Sequence, residues 1–166
     1  ILQRMARKYT VNDFTNFIEY AKRAVPGICI GTDVIVGFPG EKEEHFAATY
    51  ELLRNLPIDY FHIFSYSRRS LAKSRFLTDT IAREIIERRS QILRELSQRK
   101  RRLFFETLLG TTQEVLFENQ KCGYWVGLTD NYARIKVQSD DILKNQVRKV
   151  KLRGIAGEII LGMLSE

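Results

Sequence analysis

The sequence predicts a chain in two parts, an α/β part over residues 1–110 and an all-β barrel over residues 111–166. Three observations lead to this division. The first hundred residues alternate stretches of helical period with short apolar runs typical of strands. Residues 78–109 contain few helix breakers, which predicts one long helix. From residue 111 the pattern changes to short alternating runs separated by turn residues, as in a small barrel.

The α/β part begins with a predicted helix over residues 10–25. Thr10 and Asp13 have the spacing of a capping box, and Pro26 ends the helical pattern. A near-continuous apolar run, rich in β-branched residues, follows over residues 28–36. Runs of this kind are typical of parallel strands covered by helices on each side. We therefore expect this strand to be buried on both faces.

A second helix, from residue 41 to about residue 55, and a second strand, over residues 60–66, follow with short links. Helices and strands that alternate in this way predict right-handed crossovers and a parallel sheet. Two strands are too few for a stable parallel sheet, so we expect further strands from an upstream segment or from a neighbouring copy. The unpaired edges of such a half barrel favour dimerisation.

The predicted long helix carries an apolar stripe, and the tail carries five predicted strands. The stripe consists of Ile85, Ile92, Leu96 and Leu103, and Gly110 is the expected C-terminal cap. The strands are predicted over residues 113–118, 124–128, 132–138, 147–152 and 156–164. Five short strands in so short a tail predict an antiparallel barrel of the OB-like class.

Positive charge is concentrated on the predicted long helix. The chain has a net charge of +7 and a pI near 9.5, and residues 80–110 alone hold eight basic and four acidic side chains. Clustered cations favour a polyanionic partner such as RNA, although a solvated helix face has the same composition. No apolar run reaches the roughly 20 residues that span a bilayer, so we expect a cytoplasmic protein without a membrane segment.

Cysteine and histidine are scarce. Cys29 and Cys122 lie far apart with no ligand spacing, which predicts neither a disulfide framework nor a metal site. His45 and His62 lack a neighbouring partner in the sequence, and isolated histidines seldom bind metal or transfer protons. We expect His62 to be packed inside its strand.

Three segments occur in a fixed order: MARKYT over residues 5–10, TDVIVGFPGE over residues 32–41 and FSYSRR over residues 64–69. Together with the tail, which resembles a TRAM domain, they resemble the radical S-adenosylmethionine methylthiotransferases over essentially the whole chain. YFHIF over residues 60–64 and GLTDNY over residues 127–132 are similar to the type that acts on threonylcarbamoyladenosine in tRNA. The isopentenyladenosine-specific tRNA type, the type that modifies a ribosomal protein, and a non-enzymatic RNA-binding adaptor are the alternatives.

This resemblance implies that the chain is the C-terminal part of an open, TIM-like radical-SAM half barrel followed by a TRAM barrel. In the family, S-adenosylmethionine is cleaved to a radical, and a methylthio group from a sulfur donor is placed on C2 of an adenosine beside the tRNA anticodon. The complete enzymes carry two 4Fe-4S clusters on upstream cysteines. This chain ligates neither cluster, so it is expected to be inactive alone and to bind a tRNA anticodon stem-loop.

The resemblance also implies two sets of site residues. The candidates for binding S-adenosylmethionine are Arg7, Asp33, Val36, Gly37, Phe38, Pro39, Glu41 and Arg69. The candidates for binding RNA are Arg101, Arg102, Tyr124, Tyr132, Arg134, Lys136, Arg148 and Lys151, with Tyr132 and Arg134 expected on one face of a strand.

Physical reasoning adds two expectations about the first set. Asp33 in a buried strand needs a partner, for which Arg7 or Arg69 is suitable. Glu41 either contributes to cofactor binding or stabilises the first turn of a helix. After Arg69 the family has Gly-Thr within its motif, whereas this chain has Ser70-Leu71-Ala72.

Overall fold

The computed structural model describes residues 1–68 and 73–165. They form two units, Ile1–Lys100 and Arg101–Glu166, and the division falls inside the longest helix. The functional domains predicted above, 1–110 and 111–166, remain a prediction. None of the helices in the described ranges is long and apolar enough to cross a membrane.

The first unit combines helices with a two-stranded parallel sheet, as predicted. Its elements are α1 (Val11–Ala24), β1 (Gly31–Val36), α2 (Glu43–Asn55), β2 (Tyr60–Ser65), a 3₁₀ turn (Lys73–Phe76) and the start of α3 (Arg83–Leu108). Gly31 lies opposite Tyr60, and Val36 lies opposite Ser65. That this sheet is part of a radical-SAM half barrel, and that its edges favour dimerisation, remain predictions.

Only one face of the sheet is covered by helices in the described residues. Val36 and Phe61 pack on this side with residues of all three helices. Asp33 in β1 and His62 and Phe64 in β2 are exposed. The expectation that β1 is buried on both faces is therefore wrong, because an apolar run shows that a strand is buried without showing from which side. The same core contains Ile18, Phe46, Leu53, Leu56, Ile58, Leu93 and Leu96.

The start of α1 is held by the predicted capping box. The Thr10 amide donates to Asp13 Oδ2 at 2.8 Å, and the Asp13 amide donates to Thr10 Oγ1 at 3.2 Å. These bonds satisfy backbone donors that the first turn of a helix leaves free. The bonds from Thr10 also lower the pKa of the Asp13 carboxyl.

The buried face of α3 differs from the predicted apolar stripe. Ile85 and Leu103 are exposed, with 36% and 61% of their surfaces accessible. The buried positions include polar residues, which hydrophobic periodicity does not detect. Ser97 accepts from the Phe61 amide at 2.9 Å and donates to the Phe61 carbonyl at 3.0 Å. The Ser97 side chain thus satisfies backbone groups on the outer edge of β2. The face of α3 that carries Ser97 is buried, and it differs from the face of the predicted apolar stripe. Within the first unit, the buried residues of α3 are Arg89, Ser90, Leu93, Leu96 and Ser97.

The second unit contains a closed five-stranded barrel in the order β3-β4-β5-β7-β6. Its strands are β3 (Thr112–Lys121), β4 (Tyr124–Leu128), β5 (Arg134–Gln138), β6 (Val147–Ala156) and β7 (Ile159–Leu164). The prediction of an antiparallel barrel is wrong at one seam, because β5 and β7 pair in parallel. A closed ring with an odd number of strands cannot alternate direction throughout, so at least one parallel pair is required. The barrel fits a TRAM-like domain.

The barrel interior is filled by side chains that alternate along the strands. Gly127 of β4 lies where no side chain fits. A Cβ added there would contact the Leu116 carbonyl oxygen and lie 2.7 Å from Val115 Cγ1. Close packing of β3 against β4 therefore depends on this glycine. The barrel core includes Val115, Phe117, Trp125, Ile135, Val137, Val150, Leu152 and Ile160.

Replacing Gly127 by alanine tests this packing. We expect Gly127→Ala to lower the free energy of unfolding by about 1–3 kcal/mol, because the backbone of β3 has to move. Urea unfolding followed by the fluorescence of Trp125, the sole tryptophan, reports on the barrel. Gly154→Ala is the matched control, since a Cβ there meets nothing within 4 Å. Equal stability of the two variants would contradict this packing.

Candidate functional site

A cavity of about 810 Å³ lies in the first unit. It is bordered by the N-terminal segment, by β1 and by the residues after β1 and β2, including Asp33, Phe38, Glu41 and Tyr66. Ligands of open α/β sheets bind beyond the carboxyl ends of the strands, where this cavity reaches. This is the first candidate site.

The loop after β1 is made of buried residues with unusual backbone geometry. Val36, Gly37, Phe38 and Pro39 are all buried. Gly37 and Gly40 have φ angles of +80° and +84°, which favour glycine. A Cβ at Gly37 would also collide with the Ile86 side chain of α3. Of the residues in this loop, Phe38 and Glu41 line the cavity.

Glu41 forms two hydrogen bonds with the start of this loop. Its Oε2 accepts from the Gly37 amide at 3.1 Å, while its own amide donates to the Phe38 carbonyl at 2.9 Å. The helix α2 begins at Glu43, so Glu41 precedes the first turn and does not stabilise it. Of the two alternatives for Glu41, the one that places it in the first turn of a helix does not hold, and its carboxylate is turned toward the loop and toward α3.

Arg89 of α3 compensates the buried Glu41 carboxylate. Its Nη1 donates to Glu41 Oε1 at 2.7 Å and to the Glu41 carbonyl at 2.9 Å, and its Nη2 donates to Glu43 Oε2 at 2.8 Å. The guanidinium also lies 5.2 Å from the centre of the Phe46 ring. Arg89 and Glu41 are only 3% and 7% exposed. A buried charge is tolerated when it is paired and hydrogen-bonded, as here.

The two carboxylates that contact Arg89 have pKa values shifted in opposite directions. Burial raises the pKa of Glu41 above its ordinary value of 4.5, and this effect exceeds the opposing effects of the Gly37 amide and Arg89. The hydrogen bond from Arg89 lowers the pKa of Glu43, which lies at the surface. The same arginine thus contacts two carboxyls whose pKa values shift in opposite directions, because only Glu41 is buried away from water.

The ends of the two strands are joined by aromatic and backbone contacts. The Phe38 and Tyr66 rings meet edge to face with centroids 5.2 Å apart. The Tyr66 amide donates to the Val36 carbonyl at 2.8 Å. The Gly40 amide donates to the Asp79 carbonyl at 2.8 Å, and Asp79 pairs with Arg4 at 3.0 Å. The cavity wall is therefore tied to the segment that precedes α3 and to the N-terminal segment.

The remaining predicted cofactor residues have different surroundings. Asp33 is exposed, so the expectation that it needs a buried partner is wrong, and no ion pair to it occurs among the described residues. Arg7 is exposed, and both it and Asp33 line the cavity. Arg69 and most of the loop that follows it lie outside the described residues.

The two histidines and two cysteines lie in different surroundings in the structure. The His45 Nδ1 accepts from the Lys42 amide at 3.0 Å at the start of α2. His62 is exposed and meets the Tyr60 ring edge to face at 5.3 Å, so its predicted burial is wrong, since the face it lies on carries no helix. Cys29 is half-buried and Cys122 is exposed, and neither forms a disulfide bond. Across residues 1–68 and 73–165, no group of three or more His, Cys, Asp or Glu side chains is placed to hold a metal ion.

The barrel brings two of the predicted RNA-binding residues into contact. Lys136 Nζ lies 4.0 Å from the centre of the Tyr124 ring. The two side chains stand on neighbouring strands, because Tyr124 pairs with Gln138 and Val126 pairs with Lys136. This cation–π contact leaves an aromatic ring and a cation side by side at the surface.

Tyr132 is the most exposed aromatic residue of the barrel, but it is not in a strand. It is 80% exposed and has a φ of +61°, before the start of β5. The expectation that Tyr132 and Arg134 share a strand face is wrong, because the chain makes a tight turn here. Its geometry is set by Thr129, whose amide donates to the Ala133 carbonyl at 3.1 Å and whose Oγ1 accepts from the Ala133 amide at 2.9 Å.

The other predicted RNA-binding residues are distributed over this unit. Arg134 is exposed on β5, and Lys151 is half-buried on β6. Arg148 is exposed and donates to Gln146 Oε1 at 3.0 Å. On α3, Arg102 pairs with Glu106 at 3.1 Å, and Arg101 lies 3.9 Å from Glu158. Sequence reasoning missed Arg89; its signal is an arginine three residues after Ile86 and four before Leu93, on the face of the helix that these apolar residues share.

The opposite pKa shifts of Glu41 and Glu43 predict opposite pH dependences. A raised pKa in the folded state means that the native protein binds this proton more tightly than the unfolded chain does. The contribution of Glu41 to the free energy of unfolding therefore falls as the pH rises from 4.5 through the folded-state pKa. The unfolding free energy of the wild type minus that of Glu41→Gln should therefore fall over this window.

Glu43→Gln is the control for this experiment. Because the folded pKa of Glu43 is lowered, the corresponding difference should rise with pH up to about 4.5. Urea unfolding followed by circular dichroism across pH measures both differences. The same slope for both variants would contradict these assignments.

The sequence of this chain is similar to those of several known proteins. No family model matches the chain. The chain is 37% identical to a probable threonylcarbamoyladenosine tRNA methylthiotransferase of Methanocaldococcus jannaschii, over 97% of this chain and 37% of that protein. It is 41% identical to the MtaB threonylcarbamoyladenosine tRNA methylthiotransferase of Aquifex aeolicus, over 82% of this chain and 32% of that protein.

A third relative has a different named product. The chain is 32% identical to the tRNA-2-methylthio-N(6)-dimethylallyladenosine synthase of Methylobacillus flagellatus, over 99% of this chain and 38% of that protein. It thus spans only 32–38% of the length of these relatives. The matches cover 82–99% of this chain at 32–41% identity, and we conclude that this chain belongs to the tRNA methylthiotransferase family.

Proposed function

We propose that this chain is part of a cytoplasmic radical-SAM enzyme that adds a methylthio group to C2 of a threonylcarbamoyl-modified adenosine beside the tRNA anticodon. The observation that carries the proposal is its 37% and 41% identity to proteins named for this reaction. In this proposal residues 1–110 contribute to the catalytic barrel, and residues 111–166 are the RNA-binding TRAM domain. The clusters and the sulfur donor belong to the complete enzyme, and the chain alone is inactive.

The first unit has features that suit S-adenosylmethionine. The cavity of about 810 Å³ is large enough for a nucleoside-sized ligand. Its walls combine the exposed Asp33 and Arg7 with apolar surface from Phe38 and Phe64. Gly37 and Gly40 give the loop the backbone conformation that places Phe38 at the cavity. The residues present therefore fit the group.

Each predicted cofactor residue has a distinct task in this proposal. Asp33 accepts hydrogen bonds from the cofactor's polar groups, and Arg7 or Arg69 pairs with its carboxylate. Phe38 forms the apolar wall against the adenine, and the buried Val36, Gly37 and Pro39 hold it in place without lining the cavity. Glu41 also lines the cavity and supports the loop through its bond to Gly37. S-adenosylmethionine, when bound and reductively cleaved, supplies the radical that removes hydrogen from the substrate adenosine.

The second unit has a surface suited to unpaired bases. Tyr132 presents an aromatic ring on a rigid turn, and Tyr124 and Lys136 form a second aromatic–cation pair. Aromatic rings stack on exposed bases, and nearby cations follow the phosphates. The proposed phosphate contacts are Arg101, Arg102, Arg134, Arg148 and Lys151.

The dimethylallyladenosine type is the second candidate, because one relative at 32% identity carries that name. The two candidates differ in the modification that the substrate adenosine carries on N6. A preference for a stem-loop with threonylcarbamoyladenosine over one with isopentenyladenosine supports the first, and the reverse preference supports the second.

Binding of a labelled tRNA anticodon stem-loop tests the RNA part of the proposal. Fluorescence anisotropy across a salt series should show saturable binding that weakens as salt rises, because bound cations release counterions from phosphates. An unrelated hairpin should bind more weakly. Absence of binding at low salt would contradict the proposal.

Substitutions on the barrel locate the interaction. Tyr132→Ala should weaken binding by about 1–3 kcal/mol through the loss of one stacked base. Lys136→Ala should reduce the salt slope by about 1. Tyr20→Ala removes a similarly exposed tyrosine from α1, 64% accessible, and should leave affinity unchanged. Equal affinities for Tyr132→Ala and Tyr20→Ala would exclude Tyr132 from the interface.

A further inference from the structure

We propose that Arg89 is a positioning residue for the cofactor loop, defined as residues 37–41, and that it acts through Glu41 without touching the cofactor. The inference rests on the proposed function of the cavity, because it assigns the loop the task of holding S-adenosylmethionine.

Arg89 holds the end of the loop from inside the protein. Two of its three hydrogen bonds go to Glu41, one to the carboxylate and one to the carbonyl, at 2.7 and 2.9 Å. The third goes to Glu43 at 2.8 Å, at the first residue of α2. Arg89 therefore fixes both the side chain and the backbone at the point where the loop enters the helix.

Glu41 transmits this restraint to the start of the loop. While Oε1 accepts from Arg89, Oε2 accepts from the Gly37 amide at 3.1 Å. Gly37 has a φ of +80°, and Ile86, one turn before Arg89 on α3, fills the space where a side chain would stand. The orientation of the Gly37 peptide thus depends on two residues of α3, one by packing and one through Glu41.

The cavity is bordered by Phe38 and Glu41, whereas Arg89 is not among its lining residues. A change at Arg89 therefore reaches a ligand there through Glu41 and the rest of the loop. The fork of an arginine suits this task, since it donates to several acceptors in a fixed plane, which a lysine cannot reproduce.

Stability alone does not account for an arginine at this position. Buried ion pairs often contribute no more to stability than well-packed apolar residues of similar size. The Arg89 Nε is buried and has no hydrogen-bond partner among the described residues, so part of the guanidinium is desolvated without compensation. We therefore infer that Arg89 serves to orient the loop for ligand binding and not to stabilise the fold through the ion pair.

The test compares Arg89→Met and Arg89→Lys with the matched control Arg88→Met in this chain. Arg88 is the neighbouring arginine on α3, exposed, and it contacts Glu43 at 3.4 Å but makes no bond to Glu41. Two quantities are measured for each protein. One is the affinity for S-adenosylhomocysteine by calorimetry, since this analogue retains the adenosine and amino-acid groups. The other is hydrogen exchange of the Gly37 amide by NMR, corrected for global stability.

We expect Arg89→Met to speed Gly37 exchange beyond the change in global stability. It should also weaken S-adenosylhomocysteine binding on the order of 10- to 100-fold, by analogy with the loss seen when a residue that orients a metal ligand is removed. Arg89→Lys should lie between Arg89→Met and the wild type in both measurements, and Arg88→Met should match the wild type. A solely structural arginine would change global stability without this selective effect at Gly37.

The outcomes separate this inference from the proposed function. Wild-type Gly37 exchange and affinity in Arg89→Met would overturn the inference and leave the proposed cofactor cavity intact. Failure of the wild type to bind S-adenosylhomocysteine would overturn the proposed cavity and this inference together. If Arg89→Met does not fold, Arg89→Lys decides, and wild-type values in both measurements would overturn the inference.

Discussion

The compensation of one buried carboxylate organises the first unit. Glu41 is removed from water beside the cavity, and its charge is tolerated because Arg89 and the Gly37 amide supply donors to both oxygens. Through these contacts the loop after β1, the start of α2 and the second turn of α3 are held in one arrangement. The unusual backbone of Gly37 is the local consequence of this arrangement.

The elements that the sequence predicts well are those whose signal is local. The Thr10–Asp13 capping box, the parallel pairing of β1 with β2 and the bounds of β4 follow from spacing and period. The errors arise where polar residues are buried or where the burying face is unspecified. Periodicity counts apolar residues, so it misplaces the buried face of α3 on which Arg89 and Ser97 lie. An apolar strand pattern likewise could not indicate that Asp33 faces solvent.

The barrel shows the same limit in another form. Strand number follows from alternation, but strand length does not, since β3 and β6 extend beyond their predicted ends to Lys121 and Ala156. The parallel seam between β5 and β7 follows only from closure of an odd-stranded ring. The strand assigned to Tyr132 was wrong because the Thr129–Ala133 bonds form a tight turn that needs a left-handed residue. That turn exposes the aromatic ring more fully than a strand position would, which favours stacking on a base.

A chimeric enzyme shows whether this chain supports methylthiolation of threonylcarbamoyladenosine in tRNA. The matching residues of the Aquifex aeolicus relative would be replaced by this chain, and nucleosides from the treated tRNA would be analysed by mass spectrometry. We expect a methylthio group on threonylcarbamoyladenosine, as with the unaltered relative assayed in parallel. A folded chimera with its clusters intact that leaves this nucleoside unmodified, or that modifies isopentenyladenosine instead, would rule out the proposed reaction for this chain.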